Sequence, residues 1–303
     1  MLKFNNITKI FKTDIIDQPF TALSDVSFVI PSGSMVGFLG ANGAGKTTSI
    51  KIIMDFIRAD QGVIEFDQKL GKNKLEIFQK IGFLPERPYF YPGLTGEEFV
   101  HYMGSLSDLT RPQIKASLDK WGERFRISHA MKRPLKTYSK GMLQRIGFLT
   151  TVLHDPDFII LDEPLSGLDP VGRKELKDAI ISLHQEGKTV FFSSHIVPDI
   201  EEVCDRVIFL KEGKLVYDGE VKKILGDGQE ENFIIKFYAE GVDPRGYFPN
   251  IEKLPGDLWK CIVPSVDKER CLKVLLEHNM KIQKIDNDKK TLEQIFYQIR
   301  TQS

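Results

Sequence analysis

Apolar and polar positions along the chain change rhythm several times, and each rhythm predicts a different kind of element. Leu2, Phe4 and Ile7 alternate like a strand, and Val26, Phe28 and Ile30 resume the alternation after a polar excursion at Thr13–Gln18. Pro31-Ser32-Gly33 marks a turn. Met35–Leu39 is a short apolar run, the pattern of a strand buried on both faces of a parallel sheet. Beyond the glycine-rich segment that follows, Ile50, Ile53, Met54 and Ile57 recur at helical spacing.

From about Thr95 to Ile127 the pattern is mainly helical. Thr95-Gly96-Glu97-Glu98 fits a capping box, with Thr95 at the N-cap and Glu98 reaching back to it. A second helix is predicted to start near Arg111-Pro112, where proline is tolerated in the first turn. Strands and helices then alternate. Phe158–Leu161, Thr189–Phe192 and Val207–Leu210 read as strands, and Lys174–Leu183 as an amphipathic helix. This predicts an α/β core with a mainly parallel sheet, an antiparallel β subdomain from the first stretch, and a helical subdomain over about 93–145. A break falls at Gly226-Asp227-Gly228. Past it, Phe233–Tyr238, Trp259–Val263 and Lys281–Ile285 read as strands, and Lys268–Glu277 and Thr291–Ile299 as helices. The expected division is a large domain over 1–227 and a small α+β domain over 228–303.

A chain of 303 residues has room for one large core or two modest ones. With 42 basic and 42 acidic residues the formal net charge is zero, so the basic excess usual for a nucleic-acid partner is missing. Cys204, Cys261 and Cys271 show no CxxC or metal-ligand spacing and read as reduced thiols. The N-terminus, MLKFNNITKIFK, lacks the features of a secretory signal. No stretch approaches the roughly 18 uninterrupted apolar residues of a membrane span. The expectation is a cytoplasmic chain whose dealings with a membrane go through a partner.

The chemistry concentrates in a few segments. Gly40-Ala41-Asn42-Gly43-Ala44-Gly45-Lys46-Thr47 matches G-x-x-x-x-G-K-[ST] between a predicted strand and a predicted helix. Its glycines let the backbone wrap closely and aim N–H groups at phosphate oxygens. Lys46 is placed for the β- and γ-phosphates and Thr47 for Mg²⁺. Phe158–Leu161 ends in Asp162-Glu163, at the strand end where open α/β sheets hold ligands. Asp162 suits the cation, and Glu163 suits an attacking water. His195 follows another strand at the same sheet edge, whereas the other histidines read as packing or surface. Tyr138-Ser139-Lys140-Gly141-Met142 precedes a helix near Leu143; alone it reads as readily as a plain N-cap as an anion site.

In this order the segments resemble the nucleotide-binding subunit of ATP-binding-cassette (ABC) transporters, over about residues 1–225. Gly40–Thr47 is similar to Walker A, Phe158–Asp162 to Walker B, Tyr138–Met142 to the LSGGQ signature, and Ser166–Asp169 to the D-loop. The resemblance implies a P-loop NTPase fold that binds ATP and Mg²⁺. It implies that Gly40–Thr47 and the next residue, Thr48, hold nucleotide. It assigns catalysis to Glu163, His195 and Lys46, the cation to Thr47, Asp162 and Glu86, and adenine stacking to Phe11. It further implies that Ser139 and Gly141 serve ATP bound by a second copy or a homologous ATPase, and that separately encoded integral-membrane permease subunits are partners on the cytoplasmic face of the cell membrane.

There are departures. Glu86 replaces the usual Q-loop glutamine, and Tyr138, Lys140 and Met142 replace signature residues. Together with Thr291-Leu292-Glu293-Gln294-Ile295-Phe296 they resemble the bacterial exporter branch that includes daunorubicin-resistance-type ATPases. Rival classes have their own marks. Repair-type members place long coiled coils between Glu86 and Tyr138, and this short stretch has no sustained heptads. Translation-associated members carry two cassettes. A cassette that remodels an envelope complex without transport stays open.

Overall fold

The computed structural model describes residues 1–13, 16–225, 232–248, 250–287 and 292–301. The chain divides into two compact units, Met1–Val221 and Lys222–Ser303. The glycine break at Gly226-Asp227-Gly228 and the helix start at Thr291 lie outside the described residues.

In the first unit, β1 (Leu2–Thr13) and β2 (Ile16–Ile30) are antiparallel, with Leu2 opposite Ile30 and Phe11 opposite Phe20. The polar excursion is therefore strand at its described positions. β3 (Met35–Leu39) leads into α1 (Lys46–Ile53), and β4 (Gln61–Phe66) returns to pair with β1. Then come α2 (Lys74–Gln79), β5 (Ile81–Leu84), α3 (Gly96–Leu106), α4 (Arg111–Arg124) and α5 (Lys140–Val152). β6 (Phe158–Leu161), α6 (Pro170–Gln185), β7 (Thr189–Ser194), α7 (Val197–Val203), β8 (Arg206–Lys211) and β9 (Lys214–Glu220) follow. A short α8 (Val221–Leu225) ends this run.

Six strands form one sheet in the order β5-β6-β7-β3-β8-β9, and β2-β1-β4 form a second. Pairs in the large sheet are parallel except β8 with β9. β3 lies between β7 and β8 and is buried along its whole length, as its apolar run predicts. Aromatic rings join the two sheets: Phe28, stacked on Phe4 at 4.5 Å, packs across onto Phe38 at 5.6 Å and Phe191 at 6.2 Å. All four are buried in one core. Register then sets the working edge. Leu39 pairs with Ser194 and Leu161 with Phe192, so the residues just after β3, β6 and β7 come together.

The helical zone starts as its sequence predicts. Thr95 Oγ1 accepts from the Glu98 N–H, and the Thr95 N–H donates to Glu98 Oε2 at 2.7 Å. The start of α4 repeats the device with Thr110 and Gln113. Tyr138 is buried here, its hydroxyl donating to the Ala130 carbonyl at 2.7 Å. The residue that departs from the leucine of the resemblance is thus a packing group with a satisfied polar end.

The second unit is an antiparallel sheet with helix. β10 (Asn232–Tyr238), β11 (Ile251–Lys253), β12 (Leu258–Pro264) and β13 (Lys281–Asn287) pair in the order β11-β12-β10-β13. α9 (Lys268–Glu277) contributes Leu275 to a core with Ile235, Phe237 and Trp259. α10 (Leu292–Thr301) ends the described chain.

Candidate nucleotide site

The loop between β3 and α1 turns where its glycines permit. Gly45, just before α1, has φ +106°, and a Cβ there would stand 2.8 Å from the Ala22 carbonyl oxygen. A side chain is excluded by conformation and by space together. Lys46 is buried. Its ammonium donates to the Gly40 carbonyl at 2.7 Å and the Ala41 carbonyl at 3.3 Å, and stands 3.3 Å from Glu163 Oε1. A phosphate entering the loop would compete for that same ammonium, since it offers a full negative charge in place of loop carbonyls.

Asp162 is 2% exposed at the end of β6. Burial lifts its carboxyl above the ordinary carboxylate range. Hydrogen bonds from Ser193 and Thr47 oppose the lift, while the nearby Glu163 and Glu86 charges add to it. Thr47, Glu86, Asp162 and Glu163 therefore converge, although they come from three places in the chain. Ser193 ties two of them. Its hydroxyl donates to Asp162 Oδ1 at 2.7 Å and accepts from the Glu163 N–H at 2.8 Å. Glu163 itself has φ +49°, in the left-handed region that few non-glycine residues adopt. Its carboxylate lies between Lys46 and His195, whose Nδ1 is 2.9 Å from Oε2.

A pocket of about 440 Å³ opens over these groups. Ala41, Asn42, Gly43, Gly45, Lys46, Thr47 and Thr48 line it, with Glu86, Glu163 and His195. Phe11 does not line it. Its cross-strand neighbour Phe20 does, 59% exposed, with Ala22 two residues further along the same strand. Directly paired residues share a sheet face, and of this pair Phe20 is the one that reaches the pocket. Ser139 and Gly141 do not line this pocket either. Ser139 caps α5, its hydroxyl accepting from the Met142 N–H. α5 is fixed to the segment after β6 by Gln144, which donates to the Pro164 carbonyl at 2.9 Å.

Sequence reasoning missed Phe20 and Ser193. Phe20 could have been found from the alternation Phe20, Ala22 leading towards the glycine loop. Ser193 sits in a serine pair between an apolar run and His195, and nothing in that pattern singles it out.

A parallel sheet with a glycine loop before α1, two acids ending a neighbouring strand, and a lysine within the loop define a P-loop nucleotide-binding fold. The family model "ABC transporter" matches residues 23–166. An ABC transporter ATP-binding protein of Synechocystis is 40% identical over 76% of this chain and 66% of its own length. The ABC transporter ATP-binding protein NatA of Bacillus subtilis is 37% identical over 72% of this chain and 90% of its own length. The chain therefore belongs to the ATP-binding proteins of ABC transporters, and it is an ATPase. Among solved structures, the dimeric post-hydrolysis state of the cassette MJ0796 bound to ADP and phosphate is similar in fold, with a TM-score of 0.65 at 22% identity, covering 73% of this chain and 99% of that one. Among the described residues no helix is long and apolar enough to cross a membrane.

Proposed function

We propose that this ATPase drives a separate membrane-spanning permease, as an exporter, by closing and opening a head-to-tail pair of cassettes. The observation that carries the reading is the separation of two phosphate-binding elements. Lys46 and the glycine loop line one pocket, while Ser139 and Gly141 stand at the exposed start of α5, outside it. A second molecule turned end for end completes each pocket with the other's α5. ATP then favours the closed pair, and hydrolysis removes that preference. The dimeric cassette MJ0796 bound to ADP and phosphate is in keeping with this cycle.

Within each pocket, Phe20 offers a ring to the base, the loop holds the phosphates, and Glu163 takes a proton from the attacking water. His195 orients Glu163. Thr47 and Asp162 offer oxygens that suit Mg²⁺, with Glu86 beside them at the pocket wall. Bound there, the cation would neutralise charge on the phosphates. The permease would dock beside Glu86, where Tyr89 is 78% exposed and Tyr91 and Tyr102 flank a groove of about 490 Å³. The small unit Lys222–Ser303 is assigned as an appended domain of this machine.

The test is reconstitution with an integral-membrane protein that co-purifies with it. ATP-dependent movement of substrate out of the loaded side of vesicles supports the reading. ATP hydrolysis with a membrane partner but no movement would shift it to remodelling.

A further inference from the structure

Two charges in this chain depart from the resemblance in opposite senses, and their surroundings make them complementary. Glu86 lines the nucleotide pocket and lies near enough to Asp162 to influence its carboxyl. Together with Glu163 that brings three carboxylates to the phosphate end of the pocket, against the one ammonium of Lys46 among the described residues there. The only ion pair of Glu86 among the described residues is with Arg87, at 3.8 Å, and the Arg87 side chain is 92% exposed. That pair is worth little. The pocket thus carries a carboxylate that its own chain does not neutralise, in the place where phosphate charge must enter.

Lys140 carries the opposite surplus. It is the first residue of α5, where the helix dipole disfavours a cation, and no acidic residue shares that first turn. No carboxylate pairs with it among the described residues. Its side chain lies across Gly167, so its ammonium stands between the start of α5 and the segment that follows Glu163. It is exposed, and flanked by Ser139 and Gly141. In the pair proposed above, on which this inference rests, Ser139 and Gly141 of one molecule face the phosphates held by the other. Glu86 of that other molecule lines the same phosphates.

We propose that Lys140 of one copy pairs with Glu86 of a second copy across the bound nucleotide, so that the two departures are one intermolecular salt bridge. Each charge is unfavourable in the isolated chain and satisfied in the closed pair. The bridge supplies attraction beyond ATP itself and forms twice, once at each pocket. It also ties recognition of the second copy to the nucleotide pocket: a homologous cassette with glutamine and glycine at these positions would lack it.

The test uses full-length protein carrying Glu163→Gln, which slows hydrolysis so that ATP-bound pairs accumulate. Sedimentation velocity then measures the ATP concentration that gives half dimerisation. In that background Lys140→Glu and Glu86→Lys each place like charges across the pair, and each alone is expected to need at least tenfold more ATP. Mixed together, the two variants form a heterodimer with opposite charges at both pockets, and dimerisation should return to within about threefold of the parent. Folding of each variant is controlled by the mixture itself, since rescue requires two competent chains. If the single reversals dimerise like the parent, or if mixing restores nothing, the bridge is wrong while the pair stands. If the Glu163→Gln parent forms no ATP-dependent dimer, the head-to-tail reading fails first and takes the bridge with it.

Discussion

His195 Nδ1 lies 2.9 Å from Glu163 Oε2, on the side of the carboxylate opposite Lys46. The acid is therefore hydrogen-bonded through Oε2 and ion-paired through Oε1, and a half-buried base placed this way keeps its aim at a water. Glu163→Gln keeps the shape and removes the proton acceptor. Its turnover should fall about 100- to 10,000-fold, the range for loss of general acid–base catalysis. ATP affinity should stay near the parent value. His195→Ala should cost less, because it loosens the base without removing it. Phosphate release at saturating ATP measures both, and near-parent turnover in Glu163→Gln would refute the base assignment.

Lys46→Ala tests the phosphate contact. The ammonium now held by the Gly40 and Ala41 carbonyls and by Glu163 is the group that would meet the phosphates. A charge-assisted hydrogen bond is worth about 1.5–3 kcal/mol, so the ATP dissociation constant should rise roughly 10- to 150-fold. Titration with a fluorescent ATP analogue reads this directly. An unchanged constant would contradict the role.

The parallel sheet was legible because burial on both faces leaves a mark: Met35–Leu39 and Phe158–Leu161 are apolar at nearly every position and became β3 and β6. The capping box at Thr95 was equally readable, being a local pattern with a local bond. β4 was not read, since Gln61–Phe66 is half exposed and alternates weakly. The acids at 162 and 163 were readable from their place after a buried run. Ser193 was not, because its importance comes from the register of β7 against β6, which no spacing in the chain encodes. Which aromatic lines the pocket was not readable for the same reason: Phe11 and Phe20 come opposite each other only when β1 and β2 pair.

That pairing gives a discriminating measurement. Phe20 lines the pocket and Phe11 does not. Loss of one stacked ring costs about 0.5–1.5 kcal/mol, so Phe20→Ala should weaken ATP binding roughly 2- to 12-fold. Phe11→Ala, whose ring does not line the pocket, should have the smaller effect. The reverse order of effects would return the base-stacking role to Phe11.

His154 gives the fold a dependence on acid that is separate from catalysis. Its Nε2 lies 3.2 Å from the Ile81 carbonyl oxygen at the start of β5, so Nε2 carries the hydrogen and donates. Nδ1 is buried with no partner among the described residues, and a proton there would bury an unsatisfied charged N–H. Burial accordingly pulls the pKa of His154 below the ordinary value of 6.5, against the hydrogen bond to Ile81 and the charge of Asp155. Above 6.5 the ring is neutral in the folded and the unfolded chain, and the site costs nothing. As pH falls below it, the unfolded chain takes up the proton first, so stability is lost on the acid side. His154→Gln can keep a donor for the Ile81 carbonyl and cannot become charged. Between about pH 7.5 and about pH 5.5 the melting temperature of the parent should therefore fall further than that of His154→Gln. Other groups lower both curves equally, so the difference between the two proteins isolates this ring. Parallel curves would mean that the proton finds a partner at Nδ1.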